Sequence, residues 1–330
     1  MKIKILSQTD VAQSITMPEA IKAVKKAYIQ LSQGEAVLPL RTPLPVEEQE
    51  GITLFMPAYL VSSDSLGAKI VSVFPGNLKK GLPTIHAIVL LMDAETGKPT
   101  AVMDGTYLTA LRTGAASGAA TDLLARKDSR TAAIIGAGTQ ARTQLEGICA
   151  VRNIEAVYVF DNNLKTAESY VAETTLRGKP FPKKITAVRS SSEAVRNADV
   201  ICTATTSSSP VFDDADVKPG AHINGIGSYT PDMQEIPEQT VIRSKVIVDS
   251  LSACLSEAGD LIIPMKKGLL SPSRIHGEIG KIASGHLPGR QSQDELTLFK
   301  SVGLAVQDMA VAELILIKAR EQNRGKEVEL

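Results

Sequence analysis

Thr131-Ala-Ala-Ile-Ile-Gly136-Ala-Gly138-Thr-Gln-Ala141 decides how the second half of this chain reads. A short apolar, β-branched run ends in Gly-x-Gly-x-x-Ala. A helix-like segment from Arg142 to Val151 follows, then a second strand-like run, Ala156-Val-Tyr-Val-Phe160, closed by Asp161. Strand, glycine turn, helix, strand and acid in that order form the dinucleotide-binding fingerprint. Gly136 permits the tight turn, Gly138 lets the backbone approach a pyrophosphate, and Ala141 is small enough to stand in for the third glycine at the helix–strand contact. Phosphates are expected on the helix N-terminus, where unpaired N–H groups and the helix dipole favour an anion. An ordinary glycine-rich βα turn is the competing reading, and the flanking strand, helix and acid outweigh it.

Asp161 follows Gly136 at close to the ~20 residues typical of the fold. An acid there accepts the adenosine ribose hydroxyls and repels a 2′-phosphate, which favours NAD(H), with NADP(H) left open. Asn162 and Asn163 follow with no basic residue beside them. An N-cap for the next helix is a compatible reading of Asp161.

Working outward, the pattern after Thr131 alternates strand and helix, as a doubly wound parallel sheet demands. Strands are expected at Ala132–Ile135, Val157–Phe160, Ile185–Val188, Val200–Ala204, His222–Ile226 and Val246–Val248, with short connecting elements at 191–197 and 213–216. Past Leu296 the apolar spacing reads as helical through Val302, Val306, Met309, Leu314 and Ile317. That helix has no further strand to cross to and is expected to pack back on the N-terminal domain.

About 130 residues precede the glycine motif and need a fold of their own. Met1-Lys-Ile-Lys-Ile-Leu6 reads as a strand. Thr16, Pro18 and Glu19 open a helix that Gly34 ends. Strand-like runs at Ile52–Tyr59, Ala68–Val73, Thr84–Met92 and Thr100–Met103 look antiparallel, and an Ala-rich helix from Tyr107 to Leu124 carries Gly114 and Gly118, which suggests close backbone packing. The expected architecture is an α/β protein: a Rossmann-type doubly wound parallel sheet over 126–302, and a discontinuous α+β domain over 1–125 and 303–330.

Composition bounds the function. The chain has 330 residues, 43% hydrophobic and 22% charged, enough for sizeable cores in two domains. Its formal net charge is zero, so neither nucleic acid nor an anionic membrane is suggested. No stretch is long and apolar enough for a membrane span. Cys149, Cys202 and Cys254 are isolated and read as buried thiols of a reducing cytoplasm. The four histidines show no metal-ligand spacing.

Three cationic residues stand out. Arg112, in Leu111-Arg-Thr-Gly114, lies beside small residues in an apolar segment and needs an anionic partner. That partner is either an ion pair at a domain interface or a substrate carboxylate or phosphate. Lys69 shares a strand face with Val71 and Val73. If that face is core, its pKa falls and it can donate a proton; if the other face is buried, Lys69 is solvent-exposed. Arg41 sits between Leu38-Pro-Leu40 and Pro43, and taken alone reads as a surface arginine. No Ser/His/Asp or Cys/His arrangement stands out.

Together these segments resemble the ornithine cyclodeaminase/mu-crystallin family. The likeness runs through Leu38-Pro-Leu-Arg41, Gly67-Ala-Lys69, Gly81-Leu-Pro-Thr84, Leu90-Leu-Met-Asp93, Ala101-Val-Met-Asp104, Leu111-Arg-Thr-Gly114, Gly136-Ala-Gly-Thr-Gln140, Lys218-Pro-Gly-Ala-His-Ile-Asn224, Glu257-Ala-Gly-Asp260 and Lys300-Ser-Val-Gly303. It implies a substrate and dimerisation domain, a Rossmann domain, a returning C-terminal helix and a homodimer. It implies that Arg41, Lys69 and Arg112 surround a substrate carboxylate and imine as catalytic residues. Thr84, Arg112, Thr113, Thr139 and Gln140 then contact the cofactor, with Gly136, Gly138, Asp161 and Asn162. Thr203 and Thr205 lie beneath its nicotinamide half, and Ile226, Ser228 and Lys300 line the nicotinamide and substrate pocket.

One departure matters. Cyclodeaminases of the family and the related alanine dehydrogenase carry an aspartate two residues after the glycine of Ile-Asn-x-x-Gly; here the segment is Ile223-Asn-Gly-Ile-Gly227-Ser-Tyr229-Thr-Pro231-Asp232, so Tyr229 occupies that place. The resemblance then implies reduction of a preformed cyclic ketimine, 1-pyrroline-2-carboxylate or its six-membered analogue, by NAD(P)H. Ornithine cyclodeamination, an alanine dehydrogenase-like reaction, and ligand binding without turnover stay open as alternatives.

Overall fold

The computed structural model describes residues 1–329. The chain opens with strand β1 (Lys2–Leu6), helices α1 (Gln8–Ser14) and α2 (Met17–Ser32), then strands β2 (Ala36–Val37), β3 (Thr42–Val46), β4 (Gly51–Leu60), β5 (Ser65–Val73), β6 (Ile85–Met92) and β7 (Pro99–Asp104). Helix α3 (Gly105–Leu124) leads to β8 (Thr131–Ile135), α4 (Thr139–Val151), β9 (Ala156–Phe160), α5 (Leu164–Arg177), β10 (Lys184–Ala187), α6 (Ser191–Val195), β11 (Val200–Thr203) and β12 (His222–Gly225). Then come α7 (Glu238–Arg243), β13 (Lys245–Val248), α8 (Leu251–Glu257), α9 (Gly259–Lys266), β14 (Ile275–Glu278), α10 (Ile279–Ala283), β15 (Thr297–Lys300), α11 (Ala305–Glu321) and β16 (Lys326–Glu329). None of the described helices is long and apolar enough to cross a membrane.

These elements form two compact units, Met1–Arg112 with Leu304–Leu330, and Thr113–Gly303. In the first, an eight-stranded sheet runs β16-β1-β7-β6-β5-β4-β2, with β3 paired to β4. The β4–β7 ladders are antiparallel, as expected from the short alternating strands. Alternation is strict in β5, where Ser65, Gly67, Lys69 and Val71 are buried in turn. That face carries α11, whose Val306, Met309, Ile315 and Leu316 are buried. Gly67 is required by this packing: a Cβ there would stand 2.1 Å from the Leu90 carbonyl oxygen and 2.9 Å from the Met309 sulfur. A methionine buried this way is worth about 2–5 kcal/mol against alanine. Thr16 and Glu19 start α2, the Thr16 amide donating to Glu19 Oε2 at 2.9 Å, and Gly34 ends it at φ +77°.

The second unit is a parallel sheet ordered β10-β9-β8-β11-β12-β15-β13-β14. The order reverses between β8 and β11, and ligands of such sheets bind outside the strand C-termini at that switch. Gly114 explains how α3 meets α4: a Cβ on Gly114 would lie 2.2 Å from the Thr143 carbonyl oxygen, and one on Gly147 2.1 Å from the Gly114 carbonyl oxygen. This contact assigns residues from Thr113 onward to the second unit, so the division falls inside α3 and not between 125 and 126.

Near the C-terminus the expectation of continuous helix past Leu296 is corrected. Thr297–Lys300 is a strand seated between β12 and β13. All four of its residues are buried, and a strand covered on both faces has no alternation to betray it. The helix begins only at Ala305, and a further strand, β16, follows it to pair antiparallel with β1.

Candidate functional site

The first unit concentrates cations beneath α11. Lys69, on the buried face of β5, is 1% exposed. Its ammonium lies 2.7 Å from Asp308 Oδ2. Arg112 donates from Nε to Asp308 Oδ1 at 3.0 Å, and from Nη1 to Gln307 Oε1 at 2.9 Å. The same Gln307 oxygen accepts the Leu304 amide at 2.8 Å, and its amide nitrogen donates to the Tyr28 hydroxyl. Gln307 is therefore a fixed acceptor, and Arg112 is held by two rigid partners. The anionic partner that Arg112 needed is thus Asp308, within its own unit.

Burial drives the Lys69 pKa down to about 8; Arg112 and Arg41 add to the depression and Asp308 opposes it. Arg41 is half-buried between β2 and β3. Its charge is felt at Lys69, which separates it from an ordinary surface arginine. Two buried cations, Lys69 and Arg112, thus share the one carboxylate of Asp308, an arrangement that favours an anionic ligand. Thr84, half-buried, stands just before β6, its carbonyl accepting the Phe74 amide at 2.8 Å.

In the second unit, the glycine turn joins β8 to α4. Gly136 has φ +89°, and a Cβ on it would meet Thr205 Cγ2 at 2.7 Å and the Ala204 carbonyl oxygen at 2.9 Å. Gly138 differs. It is the N-cap of α4, with φ −75° and ψ −168°, a conformation open to any residue, and a Cβ there would have nothing within 4 Å. The space its missing side chain leaves is therefore open to a ligand, at a helix N-terminus suited to phosphate. Thr139 is exposed on the first turn, and the buried Gln140 Oε1 has no protein partner. Asp161 Oδ2 accepts the Ala137 amide at 2.9 Å and Oδ1 the Asn163 amide at 2.9 Å. The N-cap of α5 is Asn163, whose side chain accepts from the Lys165 amide. Asp161 thus braces the glycine turn, and Asn162 is exposed beside it. These residues fit a dinucleotide.

Near the ends of β11, β12 and β15, two residues expected to line the pocket, Ser228 and Lys300, turn inward. Ser228 is fully buried, and its hydroxyl donates to the Met233 carbonyl at 2.7 Å, so it is not presented to a substrate. Lys300 is fully buried, with its ammonium 2.8 Å from Asp260 Oδ2; it balances an internal charge. The Thr203 hydroxyl, also buried, donates to Glu235 Oε2 at 2.9 Å. Thr205 is half-buried, Ile226 lies in the core of this unit, and Thr113 is 7% exposed on α3. Tyr229 is 39% exposed.

Asp308, Gln307 and Glu235 were not anticipated from sequence. Asp308 and Gln307 interrupt the apolar run of α11, and two buried cations without a named counter-charge were the available clue.

The family described as ornithine cyclodeaminase/mu-crystallin matches residues 1–323. The chain belongs to this family. Among members of the ornithine cyclodeaminase/mu-crystallin family, a Delta(1)-pyrroline-2-carboxylate reductase of Bacillus cereus is 40% identical over 326 residues, covering 98% of this chain and 99% of the relative. An alanine dehydrogenase of Archaeoglobus fulgidus is 38% identical over 328 residues, 99% and 98% of the two chains. The structure of Thermococcus litoralis Delta(1)-pyrroline-2-carboxylate reductase in complex with NADH and L-proline superposes with a TM-score of 0.95. It is 45% identical and covers 99% of this chain and 100% of that one. The family fold expected from sequence, two domains with a Rossmann-type sheet, is thereby borne out.

Proposed function

We propose that the protein is an NAD(P)H-dependent ketimine reductase that converts 1-pyrroline-2-carboxylate to L-proline. The six-membered 1-piperideine-2-carboxylate is a second substrate, giving L-pipecolate. The observation that carries this reading is the pair of buried cations, Lys69 and Arg112, that share the single carboxylate of Asp308. A small imino acid supplies the missing anion, and the Thermococcus litoralis relative was solved with NADH and L-proline.

The reduced nicotinamide, when bound, supplies a hydride to C2 of the imine. Arg112 and Arg41 hold the substrate carboxylate by charge-assisted hydrogen bonds. A guanidinium has five donors, and the contacts to Asp308 and Gln307 engage two atoms of Arg112 and fix its plane. Holding the carboxylate orients C2, which lowers the barrier by restricting the approach. Lys69 gives a proton to the ring nitrogen as the C=N π pair moves onto it, so one hydride and one proton make the C–H and N–H of the product. A donor with a pKa near 8 stays mostly protonated at neutral pH and still releases its proton readily.

The dinucleotide is held by the turn through Gly136 and Gly138, by Thr139 and Gln140 on the first turn of α4, and by Asp161 and Asn162 at the end of β9. Thr113 adds to the phosphate contacts, and Thr205 and Ile226 make the nicotinamide side. Asp161, with no basic neighbour, selects NAD(H) over NADP(H).

The protein works as a homodimer in the cytoplasm. The outward face of the first sheet pairs Phe55 with Ile70 and Ile70 with Ile88, leaving Phe55 39% and Ile88 47% exposed, an apolar face suited to a second copy. Cys149, Cys202 and Cys254 are free thiols, which suits a reducing compartment.

The test is oxidation of NADH or NADPH, followed at the nicotinamide band, by purified protein with 1-pyrroline-2-carboxylate. No oxidation with either cofactor overturns the proposal. The Archaeoglobus relative makes reductive amination the second reading, and a rate that depends on ammonium would favour it. Ammonia release from L-ornithine would favour cyclodeamination, against which Tyr229 stands in place of the family's aspartate.

A further inference from the structure

The proposed reaction leaves one fully buried carboxylate without a task. Glu235 is 0% exposed and lies between β12 and α7. Its Oε1 accepts the Thr205 amide at 2.6 Å and the Thr205 hydroxyl at 2.9 Å. Its Oε2 accepts the Thr203 hydroxyl at 2.9 Å, the Gly227 amide at 2.6 Å and the Ser228 amide at 3.1 Å. One side chain thus ties the segment leaving β11 to the segment leaving β12. Gly227 is needed for this closeness, since a Cβ on it would stand 2.0 Å from the Thr205 carbonyl oxygen and 2.5 Å from Glu235 Oε1.

Glu235 is itself held from behind. Asp260 Oδ1 accepts the Glu235 amide at 2.6 Å and the Ile236 amide at 2.9 Å, and Asp260 Oδ2 pairs with the Lys300 ammonium at the end of β15. Three backbone N–H groups aimed at the Glu235 oxygens require acceptors; burial pushes the Glu235 pKa up, and Lys300 and the Thr205 donors oppose that rise. A doubly wound sheet binds a dinucleotide in two halves on either side of the switch point. Here the half with β8 and β9 carries the glycine turn and Asp161 for the adenosine side, which leaves β11 and β12 for the nicotinamide side.

We propose that Glu235 is a positioning residue for the nicotinamide half of the dinucleotide: by clamping the ends of β11 and β12 together it builds the floor on which that half rests, and it takes no part in binding the adenosine half. This rests on the dinucleotide reading above. Glu235→Gln keeps the size but replaces one acceptor oxygen by an NH2 group facing N–H donors, so the clamp opens.

The experiment measures dissociation constants for NADH and for ADP-ribose, which lacks the nicotinamide, by calorimetry on wild-type protein and Glu235→Gln. NADH binding is expected to weaken at least tenfold and ADP-ribose binding to change less than twofold. Equal losses for both ligands, or no loss for either, would overturn the inference while leaving the cofactor reading intact. A wild-type protein that binds neither ligand would overturn both. Should Glu235→Gln fail to fold, Thr203→Val removes a single donor to the same carboxylate and is expected to give the same selective loss, smaller in size; an equal effect on both ligands there overturns the inference as well.

Discussion

Lys69 and Asp308 face each other across the core of the first unit, ammonium to carboxylate at 2.7 Å, one carried by a central strand and the other by the last long helix. Asp308 is the one influence named above that lifts the Lys69 pKa against burial and two neighbouring guanidinium groups. With a folded pKa near 8, the donor form is present below that pH and lost above it. The rate of imine reduction should therefore fall as pH rises through about 8. In Asp308→Asn the lift is gone, the Lys69 pKa drops further, and the alkaline limb moves to lower pH. The same change leaves two buried cations without their anion and costs about 3–5 kcal/mol of stability. A pH–rate profile together with a urea titration checks both parts; an unmoved limb would remove Asp308 from the tuning of Lys69.

Replacing the donor itself separates catalysis from folding. Lys69→Met loses general-acid assistance, about 10²–10⁴-fold in kcat. Its melting temperature holds or rises, because an ammonium no longer has to be desolvated and Asp308 keeps Arg112 as partner. A variant that melts well below wild type would mean that Lys69 is chiefly a structural cation.

Gly138→Val probes the open space over α4. The backbone there is extended and a Cβ meets no protein atom, so folding should change by no more than about 0.5 kcal/mol. NADH affinity should fall at least about tenfold, or ~1.4 kcal/mol. Calorimetry on the folded variant decides; undiminished binding would put the phosphates elsewhere.

Asp161→Asn keeps an acceptor for the Ala137 amide and removes the charge. Discrimination against NADPH should relax by roughly tenfold in kcat/KM, the scale of a relieved like-charge contact. Parallel kinetics with both cofactors test this, and an unchanged ratio would deny Asp161 its selective role.

His222 governs acid sensitivity in the second unit. Burial first, and then the Arg290 charge, lower its pKa from 6.5 to about 3, and its ring nitrogens meet Thr297 Oγ1 at 2.9 Å and Asn224 Oδ1 at 3.2 Å. As pH falls below 6.5 the unfolded chain takes up a proton that the folded imidazole refuses, so stability declines across that window by up to ~1.4 kcal/mol per pH unit. In His222→Gln the decline between pH 6.5 and 4 should be shallower, as read from urea midpoints at each pH. An identical slope would mean that carboxylates alone set the acid limit.

Much of this was legible in the chain. The glycine turn at Gly136 and Gly138 and the acid at 161 are local features, and period-two alternation put Lys69 on the face with Val71. What escaped was non-local. Asp308 serves Lys69 and Arg112 from the far end of the sequence, and only the demand that buried cations be balanced points toward it. The strand at Thr297–Lys300 reads as helix because neighbouring Leu298 and Phe299 fit either period once both sheet faces are covered. Lys300 and Ser228 fall beside the strand ends where a ligand is expected, but which way a side chain turns there depends on Asp260 and Met233, residues that spacing alone does not connect to them.

Helix α11 also has a consequence for the order in which the protein is made. The ribosome delivers Lys69 and Arg112 early and Asp308 late, with the whole second unit synthesised in between. Until residue 308 has left the exit tunnel, the nascent first unit has an uncovered sheet face and two cations with no counter-charge. Its completion therefore waits on residue 308, although domains of other proteins commonly fold as soon as they emerge. A product terminated before residue 308 lacks the Asp308 carboxylate and leaves this core open.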